Sequence, residues 1–492
     1  MSHLHRMEEQ TRGSAEELRR AVVIGGGIGG MMAARVLADH FDEVVVIERD
    51  HIPPGVENRP GVPQARHLHF LMKRGLMVVE QLFPGVRADL LAAGSHLLDQ
   101  GTDFRILYRY GWSPRVKLGL ELITFTRPLL EATIRRHLLP HPKVRFVEGF
   151  EVAGLSSRAD LSAVTGVRIV PRRRGEGESE EQILQAELVV DSSGRTSPAP
   201  QWLESLGYAA PEEAEVDAFW GYATRIYQPP AHIAKDWQTL LVMNRPPYQP
   251  RAGIIQPIEG GRWLVSLAGV MHDYPPTDDE GFLNFARSLS APDLYNAISQ
   301  AKPLTRIWGY RRTSNRLRQY DRLSRLPQGF VALGDSVCAF NPVYGLGMTL
   351  TGLEVEELAR CLRTSDGGRT LDPLAFQKAV GKLVTAPWAL TTGEDLRWPA
   401  TQGGEITAKV KLLHWYIDQV IRLIPQSPEV FLAFQEVNHM IKGPESLFRP
   451  RVLFRVLKQA LAPAKAAPKT LPVPATVHAG AEARTSTVTL HR

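Results

Sequence analysis

Asp335 follows a short apolar run, Phe330-Val331-Ala332-Leu333, and belongs to the glycine-rich stretch GDSVCAFNPVYGLGM that runs from Gly334 to Met348. A carboxylate at the end of a buried strand can accept hydrogen bonds from sugar-like hydroxyls. Further along, Gly345, Gly347 and Met348 stand where a helix is predicted to begin, near Gly345. A glycine-rich helix start offers unpaired backbone N–H groups and a partial positive charge. An acid beside such a start suits a ligand with a polyol arm and an electron-accepting ring that becomes anionic. The ribityl chain and isoalloxazine of a flavin are such a pair.

A second constellation stands near the N-terminus. Ala21-Val22-Val23-Ile24 is followed by Gly25, Gly27 and Gly30 in the G-x-G-x-x-G positions. The first glycine lets the chain turn sharply after the strand. The second lets backbone approach a pyrophosphate, and the third lets the following helix, predicted over 31–39, pack closely on the sheet. The next apolar run, Val44-Val45-Val46-Ile47, ends at Glu48, 18 positions after Gly30 (48 minus 30). That is close to the roughly 20-residue spacing at which an acid meets an adenosine ribose. A Gly-rich turn alone would be weak. Strand, glycines, helix, strand and terminal acid in register are strong.

With Leu188-Val189-Val190-Asp191-Ser192-Ser193-Gly194-Arg195 between them, these two segments make three dispersed motifs. The chain resembles the FAD-dependent aromatic hydroxylases typified by para-hydroxybenzoate hydroxylase, over about residues 19–400. The middle motif departs from the commoner DG spelling and reads DSSGR. A fourth feature, Thr126-Arg127-Pro128-Leu129-Leu130, is similar to the family's helix-opening arginine. The stretches RPGVPQARHLH (from Arg59), PIEGGRWLVSL (from Pro257) and FNPVYGLGM, with the segment from Pro387-Trp388 to Asp395, look like the flavin epoxidases of polyether biosynthesis.

The resemblance implies the fold, the cofactor and the roles. The fold class expected is α/β: a Rossmann-like FAD-binding domain with an inserted β-sheet substrate domain and C-terminal helices. FAD is the implied cofactor, and NADPH or NADH the reductant. Gly25, Gly27, Ile28 and Gly30 would meet the pyrophosphate, with Asp191 near it, and Glu48 would hold the ribose with Arg49 beside it. Arg127, Gly334 and Asp335 would hold the ribityl-phosphate arm. Gly345, Gly347 and Met348 would present N–H groups to the ring, and Arg66 would touch the flavin or its loop. In this family the reduced flavin captures O₂ as a C4a-hydroperoxide, whose distal oxygen goes to an electron-rich alkene or ring. No Ser/His/Asp triad or carboxylate pair is needed, and no catalytic acid or base is evident. Alkene epoxidation of a lipophilic small molecule, in secondary metabolism, is the favoured expectation. Aromatic hydroxylation, halogenation and a non-catalytic flavin-binding redox role are the alternatives. The WxWxIP-like motif of halogenases and the PxxYxWxFP signature of geranylgeranyl reductases are both missing.

Composition sets outer limits. At 492 residues the chain is long for one core, so two connected domains are the natural expectation. Hydrophobic content of 43% and charged content of 22% are those of a globular chain. The net charge of +6 is spread along the sequence, apart from Arg172-Arg173-Arg174, and argues against nucleic-acid binding, which needs a basic face with readers. Attraction to cofactor phosphates is the simpler use of the excess. Two cysteines, Cys338 and Cys361, make no disulfide framework, and a cytoplasmic location is expected. Residues 1–20 lack an apolar signal core, and no run reaches the ~18 apolar residues of a membrane span. His67 and His69 form an HxH pair with no third ligand at convincing spacing, so no metal is expected.

The chain divides, on this reading, into a flexible arm (1–18), a first part of the FAD-binding domain (19–212), a β-rich substrate domain (213–305), the rest of the FAD-binding domain (306–403), a helical region (404–461) and a disordered tail (462–492). Strands over 164–170 and 183–190 are expected to pair across the charged tip at 172–181. In the insert, strands are expected over 219–227, 239–243, 252–258 and 263–270, with a turn at Glu259-Gly260-Gly261. Period-two spacing puts Trp220, Tyr222, Thr224 and Ile226 on one face and Trp263, Val265 and Leu267 on one face. Such a face could line an apolar cleft against the flavin or belong to the core. The helices predicted at 410–424 and 452–461 are amphipathic with basic polar sides. Packing on the body or on a homodimer partner is the first expectation for them, and a peripheral membrane contact the second. Monomer and homodimer are both compatible with the sequence.

Overall fold

The computed structural model describes residues 18–172, 181–233, 235–364 and 371–461. The expected arm up to residue 17, the tip at 173–180 and the tail from 462 lie outside the described residues.

The chain begins with β1 (Arg20–Ile24), α1 (Ile28–Leu37) and β2 (Glu43–Glu48), then adds β3 (Phe104–Tyr108), α2 (Arg127–Leu138), β4 (Val144–Glu148) and β5 (Leu188–Asp191). The inserted region supplies β6 (Gly221–Gln228), β7 (Thr239–Val242), β8 (Arg251–Ile258) and β9 (Arg262–Gly269). After β10 (Phe330–Ala332) come the helices α3 (Gly347–Thr364), α4 (Pro373–Asp395), α5 (Ala408–Leu423), α6 (Pro428–Asn438) and α7 (Pro450–Leu461).

Five strands form a parallel sheet in the order β10-β5-β1-β2-β4. Their near-continuous Val, Ile and Ala runs are what a sheet buried on both faces requires, and Val22, Val23, Val45, Val46, Val189 and Val331 are fully buried. Register decides what this sheet can do. Ile24 stands opposite both Ile47 and Asp191, and Asp191 opposite Ala332, so four strands end level with one another. Parallel strands carry all their carboxyl ends to one edge, where ligands of open α/β sheets bind. The α/β fold expected from sequence is the fold observed.

Two expectations about strands need correction. Gln182–Gln185 pairs antiparallel with Val164–Pro171, but Leu188–Asp191 leaves that hairpin for the parallel sheet. The large, mostly antiparallel sheet is not confined to 213–305: β3 joins it as a parallel strand beside β7, and Lys302–Pro303 and Trp308–Tyr310 pair with β6. A strand whose residues lie 135 positions before their partners (239 minus 104) contributes no local signal of where it pairs, because strand partners are set by packing rather than by spacing.

The faces of this sheet are settled by register. Ala223, Arg225 and Tyr227 stand opposite Leu267, Val265 and Trp263. That side is closed by Phe282, Phe285, Leu294 and Ile298 from two short helices, so Trp263, Val265 and Leu267 are core, not cleft. The opposite side carries Tyr222, Thr224 and Ser266 and turns toward the residues after β2. Trp220 packs with Tyr222 and Trp398 in a separate cluster. The aromatic face expected to form an apolar cleft is therefore split between a sealed core and a polar wall. C-terminal helices cover the β3 end, where Phe104, Ile106 and Tyr108 meet Ile417, Val420 and Phe431.

Candidate functional site

A cavity of ≈ 610 Å³ lies along the carboxyl edge of the parallel sheet, within the 300–1,000 Å³ typical of small-molecule sites. Gly25, Gly27 and Ile28 from the first motif line it, with Glu48 and Arg49 from the end of β2. Arg127 from the start of α2 lines it, as do Gly334 and Asp335 after β10 and Gly345, Gly347 and Met348 at the start of α3. Three expected residues are placed elsewhere. Gly30 packs inside the turn, Arg66 lies outside the cavity wall, and Asp191 is turned into its own loop.

The first motif works through close approach. Gly25 has φ +102°, and a Cβ there would stand 2.6 Å from the Ser192 carbonyl oxygen. A Cβ on Gly30 would stand 1.9 Å from the Gly25 carbonyl oxygen, so any larger residue would push α1 off the turn. α1 consequently begins at Ile28, with its first unpaired N–H groups at the cavity.

Asp191 shapes the second motif. Its carboxylate accepts from Ser193 N (3.0 Å), Ser193 Oγ (2.6 Å) and Ser197 Oγ (2.5 Å). Burial raises its pKa, and those serine bonds oppose the rise. The loop it holds presents Ser192, Ser193, Gly194 and Arg195 to the cavity. Gly194 N donates to Ser336 Oγ (3.0 Å) and Arg195 Nη2 to the Phe340 carbonyl (3.0 Å), which ties the second motif to the third.

Glu48 is already engaged. Its Oε2 accepts from Gly26 N (2.9 Å) and pairs with Arg59 Nη1 (2.7 Å), and its Oε1 accepts from Asp50 N (3.0 Å). An ionised carboxylate has about four acceptor positions, which leaves one, on Oε1, for a ligand hydroxyl. Arg59 also pairs with Glu131 (2.8 Å), which in turn accepts from Arg127 Nε (3.3 Å). Burial disfavours the Arg59 charge, but Glu131 and Glu48 outweigh it and raise its pKa. Arg59 lines the cavity and organises this buried cluster. It stood in the epoxidase-like stretch without a role, because an arginine's ion partners 11 and 72 positions away leave no spacing signal. Tyr310, Arg312 and Asn341 are further cavity residues that carried no sequence role.

Asp335 differs from the other acids. Its side chain has no hydrogen-bond or ion-pair partner among the described residues, yet it lines the cavity. Burial raises its pKa, against the pull of Arg195, Arg127 and Arg316. Below it, Glu354 of α3 accepts from Gly334 N; burial, with a contribution from Asp335, raises its pKa to about 8. Cys338 is buried, which pushes its thiol pKa well up and leaves it a packing residue. His67 and His69 face different partners: His67 Nδ1 meets Thr224 Oγ1 (2.8 Å) and His69 Nδ1 meets the His67 carbonyl (3.0 Å). Among the described residues no three His, Cys, Asp or Glu side chains are grouped to hold a metal ion.

An FAD molecule fits this donor set. A Cβ added to Gly27 would come no nearer than 4.0 Å to a neighbouring atom, and one on Gly347 no nearer than 3.6 Å, so both backbones face open space. Two helix starts, five cavity arginines (Arg49, Arg59, Arg127, Arg195 and Arg312) and one free carboxylate match a diphosphate, a polyol and an anionic ring.

Most of the fold is similar to that of solved proteins. PqsL, described as a probable FAD-dependent monooxygenase from Pseudomonas aeruginosa, is 18% identical with a TM-score of 0.57, covering 77% of this chain and 97% of that one. The myxobacterial chondrochloren halogenase CndH is 14% identical with a TM-score of 0.58, covering 88% of this chain and 99% of that one. Identities this low speak to architecture alone. No protein-family model matches the sequence. Protein Rv3254 of Mycobacterium tuberculosis (strain ATCC 25618 / H37Rv) is 32% identical over 382 residues, which covers 76% of this chain and 80% of that protein. A match of that extent across most of both chains is kinship and not architecture alone: the chain belongs to the same protein family as Protein Rv3254.

Proposed function

We propose that this protein is an FAD-dependent monooxygenase that draws electrons from NADPH or NADH and places one oxygen atom from O₂ on a lipophilic small molecule, with alkene epoxidation as the reaction. The observation that carries the proposal is the convergence of three strand-end motifs on one cavity, with Asp335 enclosed there and unpartnered. Bound FAD would supply the redox and oxygen-activating chemistry. The chain's own residues bind and orient. The N–H groups at the starts of α1 and α3 would hold the diphosphate and the ring, Asp335 and the last acceptor position of Glu48 would take hydroxyls, and Arg127 and Arg195 would offset negative charge. Epoxidation asks for no proton removal from the alkene.

Aromatic hydroxylation is the second reading, and a specific feature favours it. The sheet wall nearest His67 is polar, with Thr224 Oγ1 2.8 Å from Ser266 Oγ and Tyr222 bonded to Asn341. Tyr310, whose ring lies beside His67 at that wall, lines the cavity, and its hydroxyl would be a partner for a hydroxylated ring that a plain alkene would leave unused. PqsL has been solved with 2-aminobenzoylacetate, an aromatic compound, in a related fold.

Isotope labelling separates these readings. With ¹⁸O₂, purified protein, FAD and a nicotinamide, one labelled oxygen is expected in the product of an alkene substrate and the other in water. Labelled phenols without epoxide would retain the monooxygenase and overturn the substrate. A protein that never takes up FAD, or that yields only peroxide with every alkene and phenol offered, would overturn the proposal.

A further inference from the structure

His69 lies two residues past the turn at His67 and lines the cavity, close to Phe70, whose ring flanks Gly345 of the third motif. Its Nδ1 is 3.0 Å from the His67 carbonyl oxygen. A carbonyl only accepts, so Nδ1 carries the proton. The ring is also held neutral: burial first, and the charge of Arg127 second, lower its pKa to about 3. A neutral imidazole with its proton fixed on Nδ1 has a bare lone pair on Nε2. Among the described residues Nε2 has no hydrogen-bond partner, and it is not one of the sealed polar atoms of the interior.

The backbone that sets this tautomer is itself anchored. His67 is buried, its Nδ1 meets Thr224 Oγ1 at 2.8 Å, and its ring lies 5.4 Å from that of Tyr310. Thr224 Oγ1 continues to Ser266 Oγ at 2.8 Å, so the His67 carbonyl is fixed to the inserted sheet and not to a free loop. The cavity is otherwise rich in donors: helix N–H groups and the guanidinium groups of Arg49, Arg127, Arg195 and Arg312. Among the neutral acceptors that line it, the His69 ring nitrogen is distinguished by a tautomer fixed through its own backbone bond.

Resting on the FAD reading above, we propose that His69 Nε2 is a neutral hydrogen-bond acceptor of the cavity and receives an N–H or O–H of the bound ligand. Two sources share that chemistry, a ring N–H of the flavin and a hydroxyl of the substrate. His69 positions the ligand; it transfers no proton.

His69→Phe keeps a ring and removes the acceptor, and His69→Gln restores an acceptor oxygen at similar reach. FAD is the first probe, with affinity read by flavin fluorescence quenching and environment by the visible spectrum. 2-Naphthol is the second, titrated into holoprotein beside its methyl ether, which lacks the O–H. If the flavin is the donor, FAD affinity falls about tenfold in His69→Phe, its spectrum shifts, and His69→Gln recovers much of both. If the substrate is the donor, FAD affinity stays within twofold while 2-naphthol binding falls about tenfold and binding of the ether does not. The proposal is overturned if FAD affinity is unchanged and wild-type holoprotein shows no preference for 2-naphthol over the ether. It is likewise overturned if His69→Gln is as impaired as His69→Phe, which would mean lost packing. Wild-type protein that takes up no FAD overturns the FAD reading instead, and the arms are thereby told apart.

Discussion

Asp335 and Glu48 are both carboxylates at strand ends, and their surroundings set them apart. Glu48 spends three acceptor positions on Gly26, Asp50 and Arg59, whereas Asp335 spends none within the described residues. A part-buried acid with no hydrogen-bond partner, facing a cavity lined by arginines, is placed to accept hydrogen bonds from a ligand. Asp335→Ala is therefore expected to weaken FAD binding by tenfold or more, each charge-assisted hydrogen bond being worth ~1.5–3 kcal/mol. Cys338→Ala, which removes a small buried thiol, should change FAD affinity little. Fluorescence quenching titrations of the two variants check this, and equal affinities would remove Asp335 from the ligand contacts.

Between strand and helix, Glu354 joins α3 to the turn after β10. Its Oε2 accepts from Gly334 N, while its Oε1 is buried with no partner, and burial raises its pKa to about 8. A carboxyl whose folded pKa exceeds its unfolded value stabilises fully below the unfolded value. That contribution is lost as pH rises through the folded one. Glu354→Gln cannot titrate. Thermal unfolding of the apoprotein between about pH 5 and pH 9 should move in favour of the variant as pH increases, by a few kcal/mol at the alkaline end. Parallel pH profiles for wild type and variant would show that Glu354 does not titrate in this range. A second acid, Asp395 at the end of α4, joins three elements by accepting from Trp220 Nε1 (2.9 Å), Tyr344 OH (2.6 Å) and Asn315 Nδ2 (2.6 Å). The epoxidase-like segment that ends at Asp395 thus supports the glycine-rich turn from behind.

Taken entire, the molecule has an outward face that its own core does not use. On α7, Val452 and Val456 are buried, while Phe454 (68% exposed), Leu457 (47%) and Leu461 (86%) form a stripe pointing away from the body. Arg451, Arg455 and Lys458 flank that stripe, and α5 packed beside it exposes Leu412 and Trp415 with Lys409 and Lys411. Apolar side chains bordered by cations fit a bilayer with anionic headgroups. A peripheral lipid contact there is the outcome expected if the proposed lipophilic substrate is drawn from a bilayer. Phosphatidylglycerol vesicles should sediment the wild-type protein, with binding lost when Phe454, Leu457 and Leu461 are all changed to Ser. A wild-type dimer in solution that the same triple change makes monomeric, with no vesicle binding, would assign the face to a second copy instead. Among the described residues no helix is long and apolar enough to cross a membrane.

What the sequence determined by itself is the local chemistry of strand ends. Gly25, Gly27 and Gly30 after one apolar run, Glu48 after the next and Asp335 after a third could be read because a β-strand's ending and a tight turn are properties of a few consecutive residues. Those same short-range rules brought the helix starts at Ile28 and Gly347 to within three residues, whereas the α/β class came with the family resemblance. What only the tertiary structure decided involves partners far apart in the chain. Asp191 at a strand end looked like a ligand contact, yet its carboxylate is consumed by Ser193 and Ser197. Trp263 looked available to a cleft, yet the helices at Asp279–Arg287 and Asp293–Ile298 seal its face. Arg59 and His69 gained their roles from Glu131, Glu48 and the His67 carbonyl, and the parallel register alone put four strand ends on one edge. Turn and helix signals are written within a few residues, whereas burial and pairing depend on which distant side chains arrive.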